Sequence, residues 1–197
     1  MLHWKSIKTG TLSQTFSSTM DSEQIERILR NRLGERFCGV FASDKLPKIP
    51  RLGLYVVNLD PSELPGSHWV AIYIHGRFAE YFDSYGLRPF VPDILNFLTP
   101  FHLNHNSVQI QSFHSDICGE YCCLYAASKC LGHTLRKFLS QFHHSIPRLN
   151  DCRAVLLFQH AFPEMAERRQ RCHPRAQQCC SRMNKERQRG RKEFITG

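Results

Sequence analysis

The chain has 197 residues, 42% of them hydrophobic and 11% aromatic, which suits one globular domain with a core of its own. Its formal net charge of +9 is unevenly placed: residues 166–197 hold ten Lys/Arg against three Asp/Glu, so the basic character belongs to the tail. No apolar run approaches the roughly 18 residues of a membrane span, no signal-peptide core opens the chain, and nine irregularly placed cysteines make no disulfide framework. The expectation is no membrane association and free thiols in a reducing intracellular compartment, cytoplasm or nucleus.

Residues 1–19, rich in Ser and Thr and without periodicity, read as a poorly ordered extension, and Met20 is a second possible start. From Asp21, the residues Ile25, Ile28, Leu29 and Leu33 recur at helical spacing with Gly34 as the stop, which predicts an amphipathic helix. The stretch from Phe37 to Pro50 reads as a proline-punctuated connector, and Leu54 to Asp60 as a strand by its β-branched content. His68 to His75 is apolar on both alternating faces, as a strand covered on both sides would be, and Arg77 to Ser84 follows as a second strand after Gly76. If His75-Gly76 is the two-residue loop of a hairpin, position 74 pairs with 77 and His68 lies directly opposite Asp83. An imidazole–carboxylate hydrogen bond is then within reach. A three-residue loop would put the two on opposite faces.

Pro92 to Phe101 predicts a further helix, and Ser107 to Gln111 alternates like a strand. A polar, turn-prone loop then stops abruptly at Cys118 and becomes an apolar helix running to Gly132, with Ser115 or Asp116 available as its cap. Cys118 falls in the first turn, where unpaired N–H groups and the positive end of the helix dipole favour a thiolate. Leu135 to Phe142 and Cys152 to Phe162 predict two more amphipathic helices, the second capped by Asn150-Asp151. Beyond Pro163 the apolar periodicity ends. The domain therefore spans residues 20–163, and residues 164–197 read as a basic tail without fixed structure.

A thiol nucleophile needs a base to take its proton, an acid to orient the base, and donors for the oxyanion. The chain offers Cys118 at a helix N-terminus, His68 at the start of a strand, Asp83 across from it, and Gln111 shortly before the cysteine, with the Cys118 N–H as a second oxyanion donor. Cys118 and Cys122 stand at i and i+4, but no second ligand pair has zinc spacing, so no metal or other cofactor is read. Cys172-His173 and Cys179-Cys180 in the tail fit no metal pattern either.

The segments Gly66-Ser67-His68-Trp69 and Tyr81-Phe82-Asp83-Ser84-Tyr85-Gly86, then Gln111 and Cys118-Gly119 with Cys122-Cys123, resemble the adenovirus-type protease, adenain. More distantly they resemble the SUMO-deconjugating proteases of the ubiquitin-like-protein protease clan, whose order His…Asp…Gln…Cys they share. Adenain-like proteases borne by large DNA transposons look most similar. The resemblance implies an α+β fold, a central mixed or antiparallel sheet packed by helices, and a cysteine endopeptidase acting on protein or peptide substrates around glycine. It makes His68 the base, Asp83 the orienter, Cys118 the nucleophile and Gln111 the oxyanion donor, with Trp69 in packing or in a substrate groove. Two departures stand out. Asp83 replaces the Glu of adenain, and residues 100–106 lack the cysteine that tethers adenain's activating peptide. Two alternatives accompany the endopeptidase reading. One is an isopeptidase for ubiquitin-like modifiers with the same chemistry; the other is a nucleic-acid-associated protein that has lost catalysis, binding through the tail from Arg168 to Lys192. Oligomeric state is not legible.

Overall fold

The computed structural model describes residues 20–164 of the chain. The N-terminal extension and the basic tail, with its arginines and its Cys/His cluster, lie outside the described residues.

Among the described residues the chain forms an α+β domain in which one five-stranded mixed sheet is packed by helices on both faces. Helix α1 (Ser22–Leu33) begins at Asp21. The Asp21 carboxylate accepts from the Gln24 N–H at 2.7 Å and the Gln24 side chain accepts from the Asp21 N–H, a capping box that satisfies two otherwise orphaned donors. Strand β1 (Phe37–Ala42) follows, then β2 (Gly53–Asn58), β3 (Trp69–His75) and β4 (Phe78–Phe82). Helix α2 (Pro92–Leu98), strand β5 (His102–His105) and helices α3 (Cys118–Cys130), α4 (Leu135–Leu139) and α5 (Pro147–Ala161) complete the domain. The spatial order is β1-β2-β3-β4-β5, parallel at the two outer pairs and antiparallel within. No helix among the described residues is long and apolar enough to cross a membrane.

The double apolarity of β3 has the expected cause. Its odd positions Trp69, Ala71 and Tyr73 face a core built from α1, α3 and α5, while Val70, Ile72 and Ile74 face a second core closed by Ile94, Phe97 and Leu98 of α2. β2 is buried along its whole length for the same reason.

Four expectations are corrected. The connector from Phe37 contains a strand, β1, because its backbone can pair in parallel with β2 whatever its proline-rich sequel does. The alternating residues 107–110 form no strand; β5 lies just before them and pairs with β4. The hairpin turns at Gly76-Arg77, so that His75 pairs with Phe78 and Ile74 with Ala79. Asn150 and Asp151 do not cap a helix; they lie inside α5, which starts at Pro147.

Candidate active site

The turn correction moves the hairpin register by two residues, and a shift of two preserves which face each side chain occupies. His68 immediately precedes β3 and Asp83 immediately follows β4. They become diagonal neighbours at one end of the hairpin rather than a directly opposed pair, still close enough for side chains to meet. His68 Nε2 and Asp83 Oδ1 are 2.8 Å apart, with His68 only 8% exposed and Asp83 fully buried.

The position of His68 is set from behind by the loop after β2. The Asn58 side-chain oxygen accepts from the N–H groups of Asp60 and Ser67, and the His68 carbonyl accepts from Leu59 N–H at 3.0 Å. Asp83 is held more tightly still. Its N–H donates to Asn106 Oδ1 at 2.9 Å, Asn106 Nδ2 donates to its carbonyl at 2.6 Å, and its Oδ1 accepts from Tyr85 N–H at 2.8 Å. Asn106 reaches this place because β5 runs parallel to β4 and ends beside it. The same side chain also donates to the Val108 carbonyl.

Cys118 opens α3, as the sequence indicates, and is buried. The cap expectation fails. The N-cap residue is Ile117, and no side chain caps the helix; the Ser115 hydroxyl donates instead to the Ser112 carbonyl. The first-turn N–H groups, which have no intrahelical partner, are therefore not covered by a capping oxygen. Gly119, next along, lies against the chain before α1: a Cβ there would stand 2.9 Å from Met20 Cβ. Trp69 takes the packing half of its expected role, partly buried on the first core with its indole N–H donated to the Met20 carbonyl at 2.9 Å.

The two halves of the site are joined by residues 106–112. The Ser84 carbonyl accepts from both Ile110 and Gln111 N–H groups, at 2.9 and 3.0 Å. Gly86 makes this approach possible: its φ is +73°, and a Cβ would fall 2.6 Å from the Val108 carbonyl carbon. Gln111 is fully buried. Its Oε1 accepts from the Ser84 hydroxyl at 2.6 Å, which orients the amide, while Nε2 donates to the Ser115 carbonyl at 2.7 Å and to Tyr85 Oη at 3.4 Å. Asn150 and Asp151 clamp the same segment from α5: Asn150 Nδ2 donates to the Ile110 carbonyl, and the Asp151 carboxylate accepts from Ser112 N–H and from the Tyr121 hydroxyl. Burial raises the Asp151 pKa to about 6, opposed by hydrogen bonds from Ser115, Ser112 and Tyr121.

Electrostatically, burial pushes the His68 pKa down, but hydrogen bonds to Asp83 and to Cys118 outweigh it and raise the value to about 9. Nε2 is engaged by Asp83, which leaves Nδ1 as the free ring nitrogen for a second partner. The ring holds its proton at neutral pH. Cys118 lies in the first turn of α3, where the helix dipole presents its positive end.

The structure brings His68 and Asp83 into contact and ties Gln111 to the Asp83 motif through Ser84 and Tyr85, while Cys118 stands at the start of α3. Sequence reasoning missed Asn106, Ser84, Tyr85 and Asp151. Ser84 and Tyr85 sit inside the Asp83 motif, where a serine and an aromatic beside the acid were a usable signal; Asn106 and Asp151 had none.

No protein-family model matches the chain, and no curated protein does. Among solved structures, the chain is similar to the ASFV pS273R protease over 69% of its own length and 66% of that chain, at 18% identity and a TM-score of 0.45. It spans just under two thirds of that protein. A selenomethionine structure of the ASFV pS273R protease aligns over 48% of this chain and 40% of its own, at 26% identity and a TM-score of 0.32. The SUMO protease Ulp1, with its catalytic cysteine oxidised to a sulfinic acid, aligns over 73% and 79%, at 17% identity and a TM-score of 0.42.

Proposed function

We propose that the chain is a cysteine-type endopeptidase. The observation that carries this reading is the buried His68–Asp83 pair, 2.8 Å apart, with Cys118 at the start of α3 among the groups that raise the His68 pKa. In the reaction, the Cys118 proton resides on His68 and the sulfur attacks the substrate carbonyl. The tetrahedral oxyanion accepts from the Cys118 N–H and the Gln111 amide. His68 then protonates the departing amine as the carbon–nitrogen bond breaks, leaving a thioester. Water adds to the thioester carbonyl while His68 takes one of its protons; the returning proton restores the thiol as the acid leaves. Asp83 keeps the imidazole in one orientation throughout and stabilises its positive charge.

Cleavage beside glycine is the specificity that the resemblance to adenain-like proteases suggests, and the free thiols at all six described cysteines suit a reducing compartment. The test is hydrolysis of a peptide panel with glycine or alanine at the scissile bond, by the chain and by Cys118→Ala. Cleavage that vanishes with the thiol supports the proposal, and cleavage that survives its removal refutes it. A ubiquitin-like modifier carrying a C-terminal electrophile, captured by Cys118 in the absence of peptide cleavage, would move the reading to a deconjugase.

A further inference from the structure

We propose that Tyr85 is a positioning residue that fixes the base His68 and the oxyanion donor Gln111 relative to each other; this role rests on the peptidase reading above. Its ring stacks on the His68 imidazole, with centroids 4.6 Å apart and planes 19° from parallel. Its hydroxyl oxygen accepts from Gln111 Nε2 at 3.4 Å. Its backbone N–H donates to Asp83 Oδ1, the same oxygen that holds His68. One residue thus touches the base, the orienting acid and the oxyanion donor, which come from three separate places in the chain. Phe113, 72% exposed in the loop before the nucleophile, stacks on the same ring at 5.2 Å and limits its swing.

The division of labour follows from the chemistry of the two ends. A flat ring laid over an imidazole restricts rotation about its χ2 bond. The hydroxyl makes the longer of Gln111's two donated bonds, so it keeps the second amide N–H aimed while a developing oxyanion comes to share that hydrogen, and the 2.7 Å bond to Ser115 stays in place. Burial, and then electrostatic interactions with Cys118, Asp116, Asp151 and Asp83, raise the Tyr85 pKa to about 12. The phenol stays neutral at working pH and adds no charge against the oxyanion.

The test uses the full chain with two substitutions and two readouts. Tyr85→Phe keeps the ring and removes the hydroxyl; Tyr85→Leu removes both. The readouts are kcat and KM for peptide hydrolysis, and the rate at which iodoacetamide alkylates Cys118, which reports the sulfur–imidazole pair without any oxyanion. The expected result for Tyr85→Phe is a kcat loss about tenfold larger than its alkylation loss, with KM unchanged, since a misaligned donor forfeits part of the roughly hundredfold that an oxyanion hydrogen bond supplies. For Tyr85→Leu both rates fall. Equal loss of the two rates in Tyr85→Phe, or no change beyond about twofold in either variant, overturns the role while leaving the site intact. Cys118 alkylation that is indifferent to His68→Ala in the parent chain overturns the site itself, and Tyr85's role with it. Tyr85→Phe decides the matter even if Tyr85→Leu fails to fold.

Discussion

Replacing Asn106 with alanine should loosen the site without touching any reacting group. The side chain is 2% exposed and makes three hydrogen bonds, to the Asp83 N–H, the Asp83 carbonyl and the Val108 carbonyl. Asp83 is itself fully buried; its carbonyl keeps the Gly86 N–H at 2.8 Å, so its own N–H is the backbone group left without a partner. Each buried group left unpaired costs about 1–3 kcal/mol. The loss is therefore about 2 kcal/mol, a sizeable share of the roughly 5–15 kcal/mol that holds a domain together. For a chain of this size that lowers Tm by about 4–8 °C, measured by calorimetry or circular dichroism. The catalytic effect is separable. Asp83 aims His68, and a displacement of about 1 Å in such a constellation costs on the order of a hundredfold in kcat, assayed well below the lowered Tm so that folded fraction plays no part. A Tm change under about 2 °C together with an unaltered kcat would refute the clamp.

Two further outcomes follow from the same geometry. Because the folded-state pKa of His68 is raised to about 9, its contribution to stability is complete below its ordinary value near 6.5 and disappears as pH rises through 9. Urea midpoints at pH 6 and pH 10 should therefore converge for the parent and His68→Gln at the higher pH and separate at the lower; a difference independent of pH contradicts the assignment. Gly86→Ala must place a side chain against the Val108 backbone at a positive φ, so it should cost about 2 kcal/mol or more and release Gln111 from Ser84. Its unfolding midpoint and kcat should fall together, and an unperturbed kcat in a destabilised variant would separate Gln111 from catalysis.

Much of this arrangement was readable because local signals and tertiary demands coincide. Asp21 and Gln24 announce α1 and also make its capping box. The apolar run from Trp69 needs two covered faces, and two cores cover it. The His68–Asp83 contact was readable in face but not in register: Gly76 flagged a turn, yet nothing local distinguished His75-Gly76 from Gly76-Arg77 as its centre. The rest depended on long-range partners that leave no periodic trace. β5 is four residues, exposed throughout, and exists because β4 offers it an edge. Residues 107–110 alternate like a strand but place Ile110 on Ser84 instead of in a ladder. Asn150 and Asp151 look like caps because Asn and Asp usually are; here their side chains reach 40 and 39 residues back in the chain, to Ile110 and Ser112.

The contact between Gly119 and Met20 gives the residue after the nucleophile a meaning apart from chemistry. A side chain at 119 would push α3 away from the segment that Trp69 holds through the Met20 carbonyl. The cysteine–glycine pair is therefore a spacer gauge. In the proposed reaction the first residue would be the nucleophile, and the second, by its missing side chain, lets α3 pack against Met20. An engineer transplanting this nucleophile into another scaffold would have to carry over the docking surface contributed by Met20 along with the reactive group.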